Sequence, residues 1–206
     1  MEKKLSEKLT QTLNLKGEAI TILIDLILRY AFVKKLKKGD FLFNFGKIEE
    51  DLAYVEKGLL RKFTLEGEKE FVNWFSMEGD FILIPNSFVN GHKNHEAVQA
   101  LEDCTIYTMK KSTFLKILDL NSKIGQIAVK EILNYLCILQ NICTFLRTKD
   151  ALERYLYLGE FNPQLLNRLS QRQLATFLGI DTTYLSKIKK EAMELDKSRT
   201  NKENYK

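Results

Sequence analysis

The stretch LSQRQLATFLGIDTTYLSKIKK, residues 169–190, predicts a helix-turn-helix, two short helices joined by a tight turn. Ser170 can cap the first helix, and Gln173 stands three residues later, where its side chain can bond back to the N–H of the cap. Gly179 is placed to end that helix, because glycine adopts the left-handed conformation without a Cβ penalty. Asp181 follows as the cap of the second helix. Apolar residues recur at helical spacing on the faces turned inward: Leu174, Ala175, Leu178, Leu185, Ile188 and Ala192.

The outward face of the second predicted helix combines short hydroxyl side chains with basic ones. These residues are Thr182, Thr183, Ser186, Lys187 and Lys190. Threonine methyl groups can contact thymine methyl groups, hydroxyls can bond to base edges, and a lysine can reach guanine acceptors or a phosphate. In the first turn of the preceding helix, we expect two further side chains near the DNA backbone, those of Gln171 and Arg172. The pattern favours a helix that reads the major groove, and the alternative is an ordinary helical hairpin with a solvated polar face.

The first half of the chain changes its hydrophobic period. Residues 5–33 repeat apolar side chains at helical spacing, in one or two pieces. The sequence that follows consists of short alternating runs cut by glycines, and the best hairpin turn among them is at Glu66-Gly67. A further strand pair is predicted at Glu96–Leu101 and Thr105–Lys110. This half therefore predicts helices followed by an all-β roll or barrel.

Residues 122–147 predict a long helix with two apolar faces. One stripe advances in alternating steps of four and three residues, as a coiled-coil seam does: Gly125, Val129, Ile132, Leu136, Leu139, Cys143 and Leu146. The second stripe is interrupted by Glu131: Ile124, Ala128, Tyr135, Ile138, Ile142 and Phe145. Because both faces must be buried, we predict that the second stripe packs within its own chain and that the seam pairs with a second copy. The alternative is a helix buried wholly in the core of one chain.

Seven residues of the C-terminal stretch resemble the helix-turn-helix of the Crp/Fnr family of bacterial transcription regulators: Ser170, Ala175, Gly179, Leu185, Ser186, Lys187 and Ile188. The upstream chain resembles the cyclic-nucleotide-binding β-roll of the same family at Lys38-Gly39-Asp40, Tyr54-Val55, Lys57-Gly58 and Gly79-Asp80-Phe81-Ile82. The resemblance covers nearly the whole chain. It implies an α+β fold with an N-terminal double-stranded β-roll, a long dimerisation helix and a C-terminal helix-turn-helix domain.

The resemblance also implies a domain plan and a set of partners. We expect a β-roll sensor domain with N-terminal helices at residues 1–120, a dimerisation helix at 121–147 and a DNA-binding domain at 148–206. A homodimer is expected to read an inverted repeat in double-stranded DNA through Thr182–Lys190 and to act with RNA polymerase. The alternative is a cyclic-nucleotide-binding-like small-ligand or protein-interaction module without DNA binding. Many family members have a β-hairpin wing after the recognition helix, whereas the polar sequence beyond Glu194 predicts a frayed tail.

The nucleotide pocket departs from the family pattern. Leu83-Ile84 stands where nucleotide-binding members have Gly-Glu, whose carboxylate takes a ribose hydroxyl. Asn94 and His95 stand where those members place an arginine and a small hydroxyl residue for the cyclic phosphate. Because a buried phosphate without an arginine or a helix N-terminus would go largely unpaired, we expect cyclic AMP not to bind with useful affinity. An effector pocket at Leu83, Ile84, Asn94 and His95 would take an unknown small molecule or none.

Cysteine and histidine usage predicts neither a metal site nor a cofactor. Cys104, Cys137 and Cys143 form no CxxC pair, and their odd number argues against a disulfide-stapled secreted domain. No cysteine precedes Cys104, so the N-terminal cysteine cluster that holds an iron–sulfur centre in some Crp/Fnr members is absent. The loop NGHKNHE contains both histidines, His92 and His95, without a carboxylate or cysteine cluster to complete a metal site.

Composition and the N-terminal residues narrow the class of protein further. A net charge of +5 over 206 residues permits attraction to a polyanion without demonstrating it. We find no nucleophile with a base, no paired carboxylates and no phosphate-binding glycine loop, and so expect no enzymatic activity. The start MEKKLSEKLTQ lacks the apolar core of a signal peptide, and the apolar run Ala19–Leu28 is about half the ~20 residues that span a bilayer. We therefore expect a cytoplasmic protein without membrane contact.

Overall fold

The computed structural model describes residues 18–120 and 122–203. The chain divides into two compact units, residues 1–134 and 135–206, and the division falls inside the longest helix. The limits given above for the three domains stay a prediction.

The first unit is an antiparallel β-roll with helices at both ends of its sequence. Its elements are α1 (Glu18–Tyr30), β1 (Phe32–Leu36), β2 (Phe41–Phe43), β3 (Asp51–Lys57), β4 (Leu60–Glu66), β5 (Lys69–Ser76), β6 (Phe81–Ile82), α2 (Pro85–Asn90), β7 (Glu96–Ala100), β8 (Cys104–Lys110), α3 (Lys111–Leu120) and the first half of α4 (Ser122–Thr148). One sheet has the strand order β1-β8-β3-β6 and the other β2-β7-β4-β5. Apolar side chains of both sheets form one core, which includes Phe43, Val55, Leu60, Val98 and Ile106.

The N-terminal helical prediction is confirmed in part. Helix α1 packs two isoleucines against two buried tyrosines of the first sheet: Ile24, Ile27, Tyr54 and Tyr107. The extension of this helix to Val33 is wrong, because Phe32 begins β1 and pairs with Thr108 of β8. The earlier part of the prediction, residues 5–17, lies outside the described residues.

Two glycines fix turns of the roll for different physical reasons. Gly67 has a φ of 62° in the two-residue turn that joins β4 to β5, where Glu66 pairs with Lys69. This confirms the predicted hairpin, since such turns need a positive φ. Gly58 has a φ of 112°, and a Cβ there would lie 2.4 Å from the Sγ atom of buried Cys104. Gly58 is therefore required by space as well as by conformation.

A Gly-Asp turn occurs twice in the roll with the same hydrogen bonds. The N–H of Lys37 donates to Asp40 Oδ2, and the N–H of Met77 donates to Asp80 Oδ2, each at 2.8 Å. Each aspartate N–H also donates back to the carbonyl three residues earlier. Asp40 is exposed, whereas the burial of Asp80 raises the pKa of its carboxyl to about 6.

The chain has one tryptophan, Trp74. It lies in β5 opposite Lys62 of β4 and is half-buried. The indole therefore belongs to the β-roll of the first unit.

The second unit is helical in its described residues. It contains the C-terminal half of α4, then α5 (Ala151–Phe161), α6 (Pro163–Arg168), α7 (Gln171–Leu178) and α8 (Thr182–Glu203). Helix α5 packs against α6, α7 and α8. The frayed tail predicted beyond Glu194 is wrong for the backbone up to Glu203, where α8 ends. The last part of that prediction, residues 204–206, lies outside the described residues. No strand follows β8 in residues 111–120 and 122–203, so no β-hairpin comes after α8 in that part of the chain.

No described helix combines the length and the apolar character needed to cross a membrane. In residues 18–120 and 122–203, no three histidine, cysteine, aspartate or glutamate side chains are grouped to hold a metal ion. His92 and His95 are both exposed, and His92 Nδ1 lies 3.1 Å from Asn86 Oδ1.

Candidate nucleic-acid interface

The first helix of the pair begins with the capping box that the sequence predicts. The N–H of Gln173 donates to Ser170 Oγ at 3.3 Å, and the N–H of Ser170 donates to Gln173 Oε1 at 2.8 Å. Two backbone donors that the helix leaves without partners are thereby satisfied. The start of α7 is therefore fixed by local contacts.

The turn between the two helices follows from Gly179 and Asp181. Gly179 has a φ of 72° and a ψ of 29°, and the N–H of Ile180 donates to Ala175 O at 3.0 Å, as in a Schellman motif. The N–H of Tyr184 donates to Asp181 Oδ1 at 2.7 Å and caps α8. These contacts set the angle at which α8 leaves α7.

Burial of the inward residues orients α8. The predicted inward residues of both helices are all buried: Leu174, Ala175, Leu178, Leu185, Ile188 and Ala192. Leu185 and Ile188 are 0% and 1% exposed, so this face of α8 cannot turn toward solvent without losing the core of the second unit. The opposite face of α8 must therefore point outward.

All seven residues predicted to contact DNA are exposed: Gln171, Arg172, Thr182, Thr183, Ser186, Lys187 and Lys190. Thr183, Lys187 and Lys190 are spaced by four and three residues and share one side of α8. The Ser186 hydroxyl donates to Thr182 O at 3.0 Å, so its oxygen presents acceptor lone pairs outward. The outward surface thus offers ammonium donors beside hydroxyls that can accept.

Sequence reasoning missed one residue of this surface, Tyr184. Its side chain is 48% exposed in the first turn of α8, next to Thr183. The signal was present in the sequence, because a large aromatic residue there falls outside the spacing of the inward Leu185 and Ile188. Tyr184 adds an aromatic ring and a hydroxyl group beside the exposed residues Thr183, Lys187 and Lys190.

Charge on this surface favours an anionic partner. Residues 182–190 carry three lysines and no carboxylate, and Arg172 adds a further cation on α7. Asp181, the acid that precedes them, accepts a hydrogen bond from the helix backbone. Glu191 and Glu194 lie beyond the last lysine of the row. The first turns of α8 are therefore locally basic although the whole chain carries only +5.

The four residues predicted for an effector pocket have different surroundings in the first unit. Ile84 belongs to the core of the β-roll, Leu83 is half-buried and His95 is exposed. Asn94 is buried, and its Nδ2 donates to Asn44 O at 3.1 Å. The Asn94 amide donor thus holds the loop after β2, and the Ile84 side chain is apolar and buried in the core.

Part of the chain matches a known domain family, and its fold is similar to that of solved structures. Residues 33–121 match the family described as the cyclic nucleotide-binding domain. No curated protein matches the chain.

Solved structures of similar fold cover most of the chain. FixK2 from Bradyrhizobium japonicum is similar with a TM-score of 0.67 at 18% identity, over 81% of this chain and 86% of that one. The c-di-GMP-responsive global regulator CLP of Xanthomonas campestris gives 0.69 at 14% identity, over 85% and 92%. The catabolite activator protein of Thermus thermophilus gives 0.54 at 18% identity, over 92% and 88%. These structural neighbours are Crp/Fnr regulators, and the likeness confirms the predicted fold class.

Proposed function

We propose that this protein is a DNA-binding transcription regulator with the Crp/Fnr fold, that it acts as a homodimer, and that it reads an inverted repeat through Thr182–Lys190. The observation that carries this proposal is the exposed row Thr183, Lys187 and Lys190 on a helix whose opposite face is buried. In a helix-turn-helix, the second helix lies in the major groove of DNA. A helix whose inward face is packed in the core and whose outward face is basic fits that role. The similar fold of the structural neighbours supports the same function.

The side chains of the interface divide into two roles. Arg172, Lys187 and Lys190 supply charge toward the phosphates and hence most of the affinity. Thr182, Thr183 and Ser186, together with Lys187, contact base edges and discriminate between sequences. Gln171 contacts the DNA backbone beside Arg172.

The dimer is proposed from the exposed seam of α4. Val129, Ile132 and Leu136 are 57%, 59% and 53% exposed in the single chain. Burial of such apolar side chains away from water lowers the free energy, so an exposed apolar stripe indicates a contact surface. The residues of the second stripe are buried or half-buried in the single chain. A second copy that pairs along the seam would cover the exposed stripe, and two-fold symmetry would place the recognition helices about 34 Å apart.

The remaining partners follow from the same proposal. A regulator with this function acts on RNA polymerase and works where the DNA is, in the cytoplasm. An unknown small molecule is the expected effector of the β-roll. Cyclic AMP is not expected to bind, since Asn94 directs its amide donor to Asn44 O and Ile84 provides no carboxylate.

The test is selection of bound duplexes from random DNA, followed by affinity measurements on single variants. The selected sequences are expected to be inverted repeats. Thr183→Ala and Lys187→Ala are each expected to cost about 1 to 3 kcal/mol of discrimination at one base pair of each half-site, because each removes one base contact. Circular dichroism checks that the variants are folded.

Lys116→Ala is the matched control, because Lys116 is an exposed lysine of α3 in the first unit. It is expected to bind as the unchanged protein does. Specific binding that survives both substitutions in α8 contradicts the assignment of the recognition helix. An absence of specific binding in the unchanged protein would favour the alternative, a ligand-binding or protein-interaction module built on residues 33–121.

A further inference from the structure

Arg154 of α5 joins the ends of two other helices. Its Nη2 donates to Leu146 O at 2.5 Å, its Nε donates to Lys149 O at 3.0 Å, and its Nη1 donates to Leu178 O at 3.3 Å. Leu146 lies in the last turn of α4, and Leu178 is the last residue of α7. The Arg154 guanidinium therefore connects the C-terminal end of α4 to the C-terminal end of α7, the first helix of the helix-turn-helix. All of these contacts lie within the second unit.

The chemistry of these contacts makes them strong and directional. The last carbonyls of a helix have no partner within it and carry the negative end of the helix dipole. A guanidinium is planar, always charged, and presents its five N–H donors in fixed directions. Arg154 is half-buried, so water competes less for these carbonyls. Contact with three carbonyls in fixed directions leaves the joined helices little freedom to turn.

Other contacts stiffen the same joint. Only Lys149 and Asp150 separate α4 from α5. The N–H of Glu153 donates to Asp150 Oδ1 at 2.9 Å, and the N–H of Asp150 donates to Glu153 Oε2 at 3.1 Å, which forms a second capping box. The ring centroids of Phe145 and Tyr157 lie 4.6 Å apart. These contacts hold α5 against α4, and Arg154 carries the connection on to α7.

We infer that Arg154 is a positioning residue that fixes the helix-turn-helix against the end of α4 and thereby sets the spacing between half-sites that the dimer accepts. The inference rests on the proposed function. In a dimer paired along α4, the separation of the two recognition helices depends on the angle at the joint between α4 and α5. One base pair more between half-sites moves them by about 3.4 Å and rotates them by about 34°. To distinguish spacers that differ by one base pair, the joint between α4 and α5 must therefore vary in angle by less than this rotation.

The experiment measures affinity for duplexes that carry the selected half-sites with the spacer lengthened or shortened by one base pair. The unchanged protein is expected to prefer one spacer clearly. Arg154→Ala is expected to lose several-fold in affinity for that spacer while its preference over the neighbouring spacers falls toward one. Its affinity for a duplex with a single half-site is expected to stay unchanged, which a merely destabilised domain would not show.

Two further variants keep the inference testable. Lys149→Ala removes a nearby exposed positive charge but leaves the Lys149 carbonyl in place, so it is expected to keep the spacer preference. Arg154→Lys keeps the charge without the planar fork and is expected to relax the preference in part. It replaces Arg154→Ala if thermal unfolding shows that the alanine variant does not fold.

A second readout does not require DNA. Nitroxide labels at Glu191→Cys report the distance between the two protomers' α8 helices by electron spin resonance. The exposed Cys137 is changed to serine, and Cys143 is changed to alanine so that the seam stays apolar. Arg154→Ala is expected to broaden that distance distribution. A narrow distribution and an unchanged spacer preference in the folded variant overturn the inference, whereas a lack of specific binding by the unchanged protein is the failure of the proposed function.

Discussion

Asp80 shows how one side chain ties the stability of the roll to pH. Burial raises the pKa of its carboxyl from 3.8 to about 6. The folded state therefore binds a proton that the unfolded state has released, and stability falls as pH rises through the window from about 4 to about 6. Below that window both states are protonated, and the unfavourable burial of the charge is absent.

Asp80→Asn is expected to remove this pH dependence. The amide oxygen can still accept from the Met77 N–H, but it carries no charge to desolvate. Relative to the unchanged protein, the variant's free energy of unfolding is expected to increase between pH 4.5 and pH 7.5 by about 1 to 3 kcal/mol. Urea denaturation at four pH values measures this difference. Asp40→Asn, in the exposed Gly-Asp turn with the same hydrogen bonds, is the control. If the difference in free energy of unfolding between Asp80→Asn and the unchanged protein stayed constant with pH, the expectation would be contradicted.

Residues differ in how far their roles could be predicted from sequence. The Ser170–Gln173 capping box, the Gly179 turn and the Gly67 hairpin were predicted correctly because each depends on contacts within a few residues. Arg154 could not be predicted, because its partner Leu178 lies 24 residues away and is a backbone carbonyl that any sequence would present. The roles given to the seven exposed residues of the interface stay predictions, because exposure does not identify a partner.

At the scale of elements, the predictions failed where tertiary contacts or helix propensity outweighed the pattern. Phe32 and Val33 continue the helical spacing of α1, but pairing with β8, more than 70 residues later in the chain, draws them into a strand. From Asp196 the sequence is polar but contains no glycine or proline up to Glu203, so nothing in it stops α8. The β-roll was predictable because glycine turns bound its strands.

The seam of α4 leads to a prediction about thiol reactivity. Cys143 belongs to the seam, whereas Cys137 follows seam residue Leu136 and points away from it, and both are exposed in the single chain. In the dimer, iodoacetamide is therefore expected to modify Cys137 several-fold faster than Cys143. Burial raises the pKa of the Cys104 thiol to about 11, so Cys104 is expected to react only after unfolding. Mass spectrometry of a time course measures the three rates.

Leu136→Glu provides the comparison for these rates. A charge in the seam is expected to dissociate the dimer and to make Cys143 as reactive as Cys137. Equal rates in the unchanged protein would speak against pairing along the seam and for a helix that stays within one chain.

For the whole molecule, charge and two-fold symmetry predict the salt dependence of DNA binding. Arg172, Lys187 and Lys190 from two protomers would neutralise about six phosphates, so the logarithm of the association constant is expected to fall with the logarithm of salt concentration with a slope of about −5. Lys190→Ala removes two of these contacts and is expected to bring the slope to about −3 to −4. Fluorescence anisotropy at several salt concentrations measures both slopes. An unaltered slope in the variant would place Lys190 away from the phosphates.

The single indole of Trp74 gives the molecule a built-in optical label for one unit only. Ultraviolet emission excited at the red edge comes from the β-roll and from nowhere else in the chain, because no other tryptophan exists to contribute. A ligand bound beside Trp74 would shift this emission directly, whereas a duplex bound to α8 could do so only through a change transmitted from the second unit. Intrinsic emission during a titration with operator DNA therefore reports communication between the units without any chemical modification of the protein.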